Sequence, residues 1–179
     1  IRERATSLSA VAASSSRVMA LSDRDDAERV QGAAITSNLF PTLGVQPILG
    51  RAMAERDDQA GSPEVVMLGH GYWQRRFGGD PGVVGRRITV DGTAREIIGV
   101  LPERFWFMDV PHDLMLPIRF ERSKVRLAGY NFPAIGRLRP GVSIEAADAD
   151  VARMIGIALG KFPPPPGMSV KMMEDARLG

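Results

Sequence analysis

Few residues of this 179-residue chain have the types and spacing that chemistry requires. Gly69-His70-Gly71 follows an apolar run and precedes a helical pattern, which is where a dinucleotide-binding turn would stand. That turn needs a third glycine at the position of Gln74, and the bulky pair Tyr72-Trp73 fills the space that a pyrophosphate would approach. The segment therefore predicts a turn and a helix start, with no bound nucleotide.

An acidic cluster, Asp23, Asp25, Asp26 and Glu28, resembles half of a calcium loop. A calcium loop of the EF-hand type has glycine at its sixth position and a bidentate glutamate at its twelfth. Here Glu28 and Ala34 occupy those positions. We expect the cluster to form the tip of a hairpin.

The only histidines are His70 and His112, and the chain has no cysteine. A metal or acid–base site would therefore combine a histidine with carboxylates, for example His112 with Asp109 or Asp113. No spacing of the HExxH kind connects these residues. Asp57-Asp58 is expected to be a loop pair that caps a turn or lies in solvent. The sequence predicts no catalytic residue, no metal and no cofactor.

The large apolar side chains suggest one contact surface. Methionines 154, 168, 172 and 173 could form a soft surface for a metal or an apolar ligand, but methionines at such spacing more often fill a core. Phe105, Trp106, Phe107 and Met108, here called the aromatic segment, cannot all face one core from a strand. We expect part of the aromatic segment to be exposed and to contact a partner.

The composition excludes several classes of protein. The net charge is +2, and basic residues are scattered among acidic ones, so a nucleic-acid surface is not expected. Apolar residues make up 44% and charged residues 25%, as in an ordinary globular protein. No segment approaches the ~18 consecutive apolar residues of a membrane span. Because the chain begins at Ile1, we interpret it as a soluble piece of a longer protein.

Folding signals account for most of the middle of the chain. Asp80-Pro81 is a typical N-cap and first helical residue, and Asp91-Gly92 between two alternating runs is a typical hairpin turn. The predicted elements, in order, are a hairpin of Ala10–Leu21 with Arg29–Thr36, a short helix over Leu39 to Leu43 ended by Gly44, a strand at Val65–Leu68, a helix at Tyr72–Phe77, a turn at Pro81–Val84, the Asp91-Gly92 hairpin, and a strand at Asp113–Ile118.

The two ends of the chain predict a second set of elements. Ile1–Ser9 could form the last turns of a helix. Tyr130–Leu138 alternates as a strand, and Ser143 caps a clear amphipathic helix. Pro163–Pro166 would end that helix, and Ser169–Met173 would follow as a strand. We therefore predict an α+β fold with two lobes: a βαβ lobe from residues 1–36 and 125–179, and an inserted, smaller, strand-rich lobe of residues 37–124.

Two stretches carry a resemblance to a known family. ITSNLFPTLGVQPILGRAM (Ile35–Met53) and GHGYWQRRFGGDPGVVGRRITVDGTAREIIGVL (Gly69–Leu101) resemble the periplasmic core domain of MacB-like ABC transporter permeases, in particular the duplicated-permease variety. The resemblance spans nearly the whole chain. One departure is Leu39, where the family often has tyrosine. Further matching residues are Asp113-Leu114, Leu116-Pro117, Ile135 to Leu138 and Pro140 to Ser143.

The resemblance implies a non-catalytic, extracytoplasmic (periplasmic) domain of an inner-membrane protein, with a porter-like lobe made from both chain ends. In such permeases ATP is hydrolysed by a separate subunit or domain, and no GxxxxGK[ST] motif occurs here. The implied partners are the permease's own transmembrane helices, the ATP-binding subunit, a second permease copy and a periplasmic adaptor. The alternatives are a secreted or surface-attached binding module that uses the aromatic segment and, less favoured, a degenerate nucleotide-binding enzyme.

Overall fold

The chain divides into two compact units. The terminal unit combines Ile1–Val11 with Phe120–Gly179, and the central unit is Ala12–Arg119. Both are described from a computed structural model. The structure describes residues 5–23, 26–120 and 132–161.

Most of the strands belong to the central unit. Its elements are β1 (Leu8–Asp23, which begins in the terminal unit), β2 (Asp26–Ile35), α1 (Leu39–Leu43), β3 (Leu49–Gly50), the 3₁₀ helix Glu55–Asp58, β4 (Val65–Leu68), α2 (His70–Phe77), the 3₁₀ helix Pro81–Val83, β5 (Arg87–Val90), β6 (Thr93–Val100) and β7 (Leu114–Pro117).

Six of these strands pair in a closed ring. β1 and β2 form a long antiparallel hairpin, from Ser14 opposite Ile35 to Asp23 opposite Asp26. β2 pairs with β7 in parallel, β7 with β4 antiparallel, and β4 with β6 in parallel. β6 pairs antiparallel with β5, which returns to β1 antiparallel. A closed ring leaves few free strand edges, so each strand is held on both sides.

Apolar side chains from these strands and from α2 pack into one core. The core contains Met19, Leu21, Val30, Val66, Leu68, Tyr72, Trp73, Val83, Ile88, Val90, Ile97, Val100, Leu114 and Leu116. Burial of this many large side chains is the main stabilising contribution to the unit. The short turns join the strands and add little to this core.

Local signals in the sequence correctly locate the turns of the central unit. Gly44 ends α1 in the left-handed conformation, with φ of 72°. The Asp80 carboxylate accepts a hydrogen bond from the Gly82 amide at 2.8 Å and so caps the 3₁₀ helix that Pro81 begins. Asp91 and Gly92 connect β5 to β6 with φ of 51° and 75°, as a type I′ hairpin turn requires.

In the terminal unit, β8 (Ala134–Leu138) pairs with β1, and α3 spans Ile144–Lys161. Ser143 caps α3 as predicted, since its hydroxyl accepts a hydrogen bond from the Ala146 amide at 3.2 Å. Asp150 on α3 accepts hydrogen bonds from the hydroxyl and the amide of Ser7, at 2.7 and 2.9 Å. These donors, led by the Ser7 hydroxyl, hold the pKa of Asp150 well below its usual range.

The prediction of an opening helix is wrong for Leu8 and Ser9, which begin β1. A long-range contact explains the difference: the Ser9 hydroxyl donates to the carbonyl of Arg137 at 3.0 Å, in the strand that pairs with β1. The predicted strand at Ser169–Met173, and the polyproline segment before it, lie outside the described residues. The α+β class itself is confirmed.

The two compact units divide the chain at Val11 and Arg119, whereas the sequence placed the lobe borders near Thr36 and Val125. The first border differs because the hairpin of β1 and β2 contributes two strands to the ring. The assignment of this hairpin to one functional lobe stays a prediction.

Candidate functional site

The aromatic segment lies between β6 and β7, and its side chains point in alternating directions. Trp106 is 65% exposed and Met108 is 52% exposed. Phe107 is buried, and Phe105 packs on Phe40 of α1 with ring centroids 5.8 Å apart. Two side chains therefore anchor the segment while the other two face solvent, as expected for four large residues that cannot share one core.

The segment ends in a tight turn, Phe107–Val110. The amide and carbonyl of Phe107 exchange hydrogen bonds of 3.2 Å with those of Val110. The two residues between them, Met108 and Asp109, have φ of 54° and 58°. A side chain in this left-handed region costs roughly 1–2 kcal/mol. Methionine is seldom found there, so the backbone is strained where it presents Met108 to solvent.

His112 lies against this turn. Its ring is 6.2 Å from that of Phe107, and its Nε2 is 3.0 Å from the hydroxyl of Ser16 on β1. Burial lowers the pKa of His112, which favours the neutral imidazole. A hydroxyl on a neutral imidazole is the first half of a nucleophile–base pair. Among the described residues, however, no carboxylate or other side chain bonds to His112 Nδ1, so no third side chain orients the ring as a general base. The contact instead ties the turn to β1.

The structure brings the two histidine-bearing segments together through their backbones. The Gly69 amide donates to the carbonyl of Asp113 at 2.8 Å. A side chain on Gly69 would lie 2.0 Å from the carbonyl oxygen of His112, so only glycine fits. The His70 ring contacts Trp73 at 5.4 Å, whereas His112 contacts Ser16. Gly69 is therefore required for close strand packing, which explains the glycine without a nucleotide.

No metal site is formed in the described part of the chain, where no three histidine or acidic side chains converge. Of the acidic cluster, Asp23, Asp26 and Glu28 lie at the tip of the β1–β2 hairpin, whose last pair is Asp23 with Asp26, and Asp25 lies outside the described residues. Of the four methionines considered above, Met154 is buried in α3. Met168, Met172 and Met173 lie outside the described residues.

The family follows from comparison with known proteins. The model of the MacB-like periplasmic core domain matches residues 1–154. The chain belongs to this family. A comparison with curated protein sequences finds no significant match.

Solved structures of MacB-type domains have the same fold. The extracellular domain of the noncanonic ABC-type transporter YknZ from Gram-positive bacteria matches with a TM-score of 0.65 and 16% identity, over 88% of this chain and 80% of that one. The periplasmic region of MacB from Actinobacillus actinomycetemcomitans matches with a TM-score of 0.66 and 17% identity, over 87% of this chain and 69% of that one. A domain of a protein described as a permease from Porphyromonas gingivalis matches with a TM-score of 0.64 and 20% identity, over 98% of this chain and 83% of that one.

This MacB-like domain is an extracytoplasmic part of an ABC transporter permease. Such a permease has membrane helices and works with an ATPase. Within the described residues, no helix of the domain has both the length and the apolarity needed to cross a membrane.

One cluster of this MacB-like domain was missed from the sequence. Asp57 is only 3% exposed, so the solvated alternative for Asp57-Asp58 is wrong and the capping alternative holds. The Asp57 carboxylate accepts from the Ala54 amide at 2.7 Å and from two nitrogens of Arg51 at 2.6 and 3.0 Å. The Arg51 guanidinium six residues before Asp57 was a signal for this ion pair, but loop spacing alone does not fix such a contact.

Proposed function

We propose that this domain relays ATP-driven motion of the permease across the membrane, for export or envelope processes, and does no chemistry itself. One observation carries the proposal: the two chain connections of the central unit leave it at the same end, on either side of the end of β2. The Ile118 amide donates to the carbonyl of Ile35 at 2.7 Å, and the Thr36 amide donates to the carbonyl of Ala13 at 2.9 Å. A unit joined at one end by two adjacent connections can be carried as a single body.

The ring of strands supports this role physically. A relay has to resist deformation, and the ring holds each strand through hydrogen bonds on both sides around a well-filled core. A displacement imposed at the two connections would then move the far end of the central unit by nearly the same amount. A sheet with open edges would yield more easily.

We propose that the aromatic segment is the contact that this relay uses. Trp106 and Met108 are exposed apolar side chains, the first immediately before the strained turn and the second within it. Tryptophan is among the residues that contribute most to binding when a partner covers them. The partner we favour is a second permease copy, and a periplasmic adaptor is the other member of the assembly that could cover this surface.

The exposed Trp106 also favours one rival, a binding module whose aromatic segment holds an external ligand. If the domain were a binding module, the external ligand would occupy the aromatic segment regardless of the ATP cycle. In the relay, the distance between copies would depend on that cycle. The two hypotheses therefore differ in whether ATP changes the distance between the two copies.

Spin labels test the relay directly, and this domain has no cysteine of its own that would compete for the label. A single Ala94→Cys label at an exposed site on β6 would be placed in the full permease, reconstituted with its ATPase in lipid nanodiscs. Dipolar spectroscopy would measure the distance between copies without nucleotide, with ATP, and after vanadate trapping. We expect different distributions in the three states, and the same trend from Arg104→Cys. Identical distributions at both sites would exclude the relay.

A further inference from the structure

The first chain connection of the central unit is held by Thr36. The Ala13 amide donates to the Thr36 hydroxyl at 3.0 Å, and the Thr36 amide donates to the carbonyl of Ala13 at 2.9 Å. The next residue, Ser37, donates its amide to the Asp58 carboxylate at 2.7 Å. The end of the β1–β2 hairpin is therefore fixed to the 3₁₀ helix Glu55–Asp58.

The second connection is held by Arg119, the last residue of the central unit. Its Nε donates to the carbonyl of Asp57 at 3.1 Å, and its Nη2 donates to the carbonyl of Pro63 at 2.7 Å. Its Nη1 forms an ion pair with Glu64, whose other carboxylate oxygen binds Arg95. One guanidinium thus fixes the chain that follows β7 through three acceptors.

Both connections therefore meet at the same short helix. On the side of the first connection, the Asp58 carboxylate accepts a hydrogen bond from the Ser37 amide. On the side of the second, the Asp57 carbonyl accepts one from the Arg119 guanidinium. The helix is fixed in turn by the paired contact of Asp57 with Arg51. Ser37 and Asp57 are buried, whereas Arg51 is 39% and Glu64 34% exposed, so salt screens the ion pairs of the latter two more than the hydrogen bonds of the former.

We propose that Ser37, Asp57, Asp58, Glu64 and Arg119 form a brace that couples the two chain connections of the central unit. The brace is a second link between the two connections, through the 3₁₀ helix, beside the direct hydrogen bonds of Thr36 with Ala13 and of Ile35 with Ile118. The use of the brace rests on the proposed relay, but its presence does not.

Hydrogen exchange in the full chain tests the brace with Arg119→Lys. Lysine keeps the positive charge but cannot donate to three acceptors in a fixed fork. We expect the Ser37 and Thr36 amides, which hold the first connection, to exchange about tenfold faster, the effect of losing about one hydrogen bond. The matched control is Arg86→Lys, which alters an exposed ion pair with Asp80 and should leave these amides unchanged. Faster exchange confined to residues next to Arg119 would overturn the proposal.

A milder pair of variants keeps the test decisive if Arg119→Lys unfolds. Asp58→Asn retains an acceptor for the Ser37 amide, whereas Asp58→Ala removes it. We expect the Ile118 amide, on the second connection, to exchange about tenfold faster in the alanine variant than in the asparagine variant. The Val66 amide in β4 reports global unfolding and should stay protected in both. Equal exchange at Ile118 would contradict the brace. The spin-label result can fail separately, because exchange in the unmodified domain involves no ATPase.

Discussion

Two turns of the central unit share one backbone geometry but differ in sequence. Asp91 and Gly92 connect β5 to β6, and Met108 and Asp109 connect Phe107 to Val110; all four central residues have positive φ. Aspartate and glycine are residues that this geometry favours, whereas methionine is not. The first turn therefore follows from local folding preferences. The second turn forms although the local folding preference of methionine disfavours it.

The surroundings of the two turns explain the difference. The Asp91 carboxylate accepts from the Ala20 amide at 2.8 Å and from Arg17 at 3.2 Å, so this turn also joins the hairpin to β1. The Met108 side chain is mostly exposed, so its own packing does not hold it in the left-handed region. The buried Phe107 and the hydrogen bonds between Phe107 and Val110 hold the turn instead, and whether the strain serves a contact stays a prediction.

The two tryptophans show the same contrast. Trp73 is 8% exposed and donates its indole N–H to the carbonyl of Asp80 at 2.9 Å. Trp106 is exposed immediately before the strained turn. One tryptophan supports the fold, and the other is available to a partner.

The largest expected effect comes from making one substitution in both regions. Trp73→Ala should lower the free energy of unfolding by about 3–5 kcal/mol, because it leaves a cavity in the core. Trp106→Ala should change it by less than about 0.5 kcal/mol, as is usual for exposed side chains. Urea unfolding of both variants measures the difference. Comparable losses would mean that the exposed segment is structural, and the comparison would fail.

A smaller effect is expected from exchanging the turn residues. Gly92→Ala forces a side chain into the left-handed region and should destabilise the domain by about 1 kcal/mol. Met108→Asn introduces a residue that tolerates this region and should stabilise it by about 0.5–1 kcal/mol. Thermal unfolding monitors both changes. If Met108→Asn destabilised the domain, the strain assigned to the second turn would be incorrect.

The smallest effect is expected from His112 beneath the second turn. Ser16, Phe107 and Asp113 surround it, and burial lowers its pKa below the ordinary 6.5. The unfolded chain then binds a proton more readily than the folded protein. Stability should therefore be fully present above about pH 6.5 and should fall as the pH falls towards the folded pKa.

Unfolding by urea at about pH 7.5 and about pH 5.5 measures this dependence. His112→Gln should reduce the loss of stability between the two pH values, although other groups will leave a residual slope. An unchanged slope in the variant would show that His112 does not titrate differently in the folded and unfolded chains.

Local signals account for what the sequence could predict. Asp80-Pro81, Asp91-Gly92 and Gly44 each act within a few residues, and the structure has the expected cap, hairpin and helix end. The Ser143 cap is confirmed for the same reason. Such signals depend on backbone geometry that neighbouring residues determine by themselves.

Long-range contacts account for what the sequence could not predict. Ser16 meets His112 across 96 residues, and Arg119 meets Asp57 across 62. Ser9 joins β1 instead of a helix because it bonds to Arg137, 128 residues away. The contact role of the aromatic segment was inferred only from crowding of large side chains, and it stays a prediction.

Photocrosslinking from position 106 tests most directly whether the aromatic segment is a contact within the working permease. Trp106 would be replaced by p-benzoylphenylalanine in the full permease, reconstituted with its ATPase, and Arg104 would be replaced in the same way as an exposed control from the same loop. We predict a crosslink from position 106 to a second permease copy, with a yield that changes several-fold between the nucleotide-free and vanadate-trapped states, and little product from position 104. No crosslink from position 106 in any state would contradict the account.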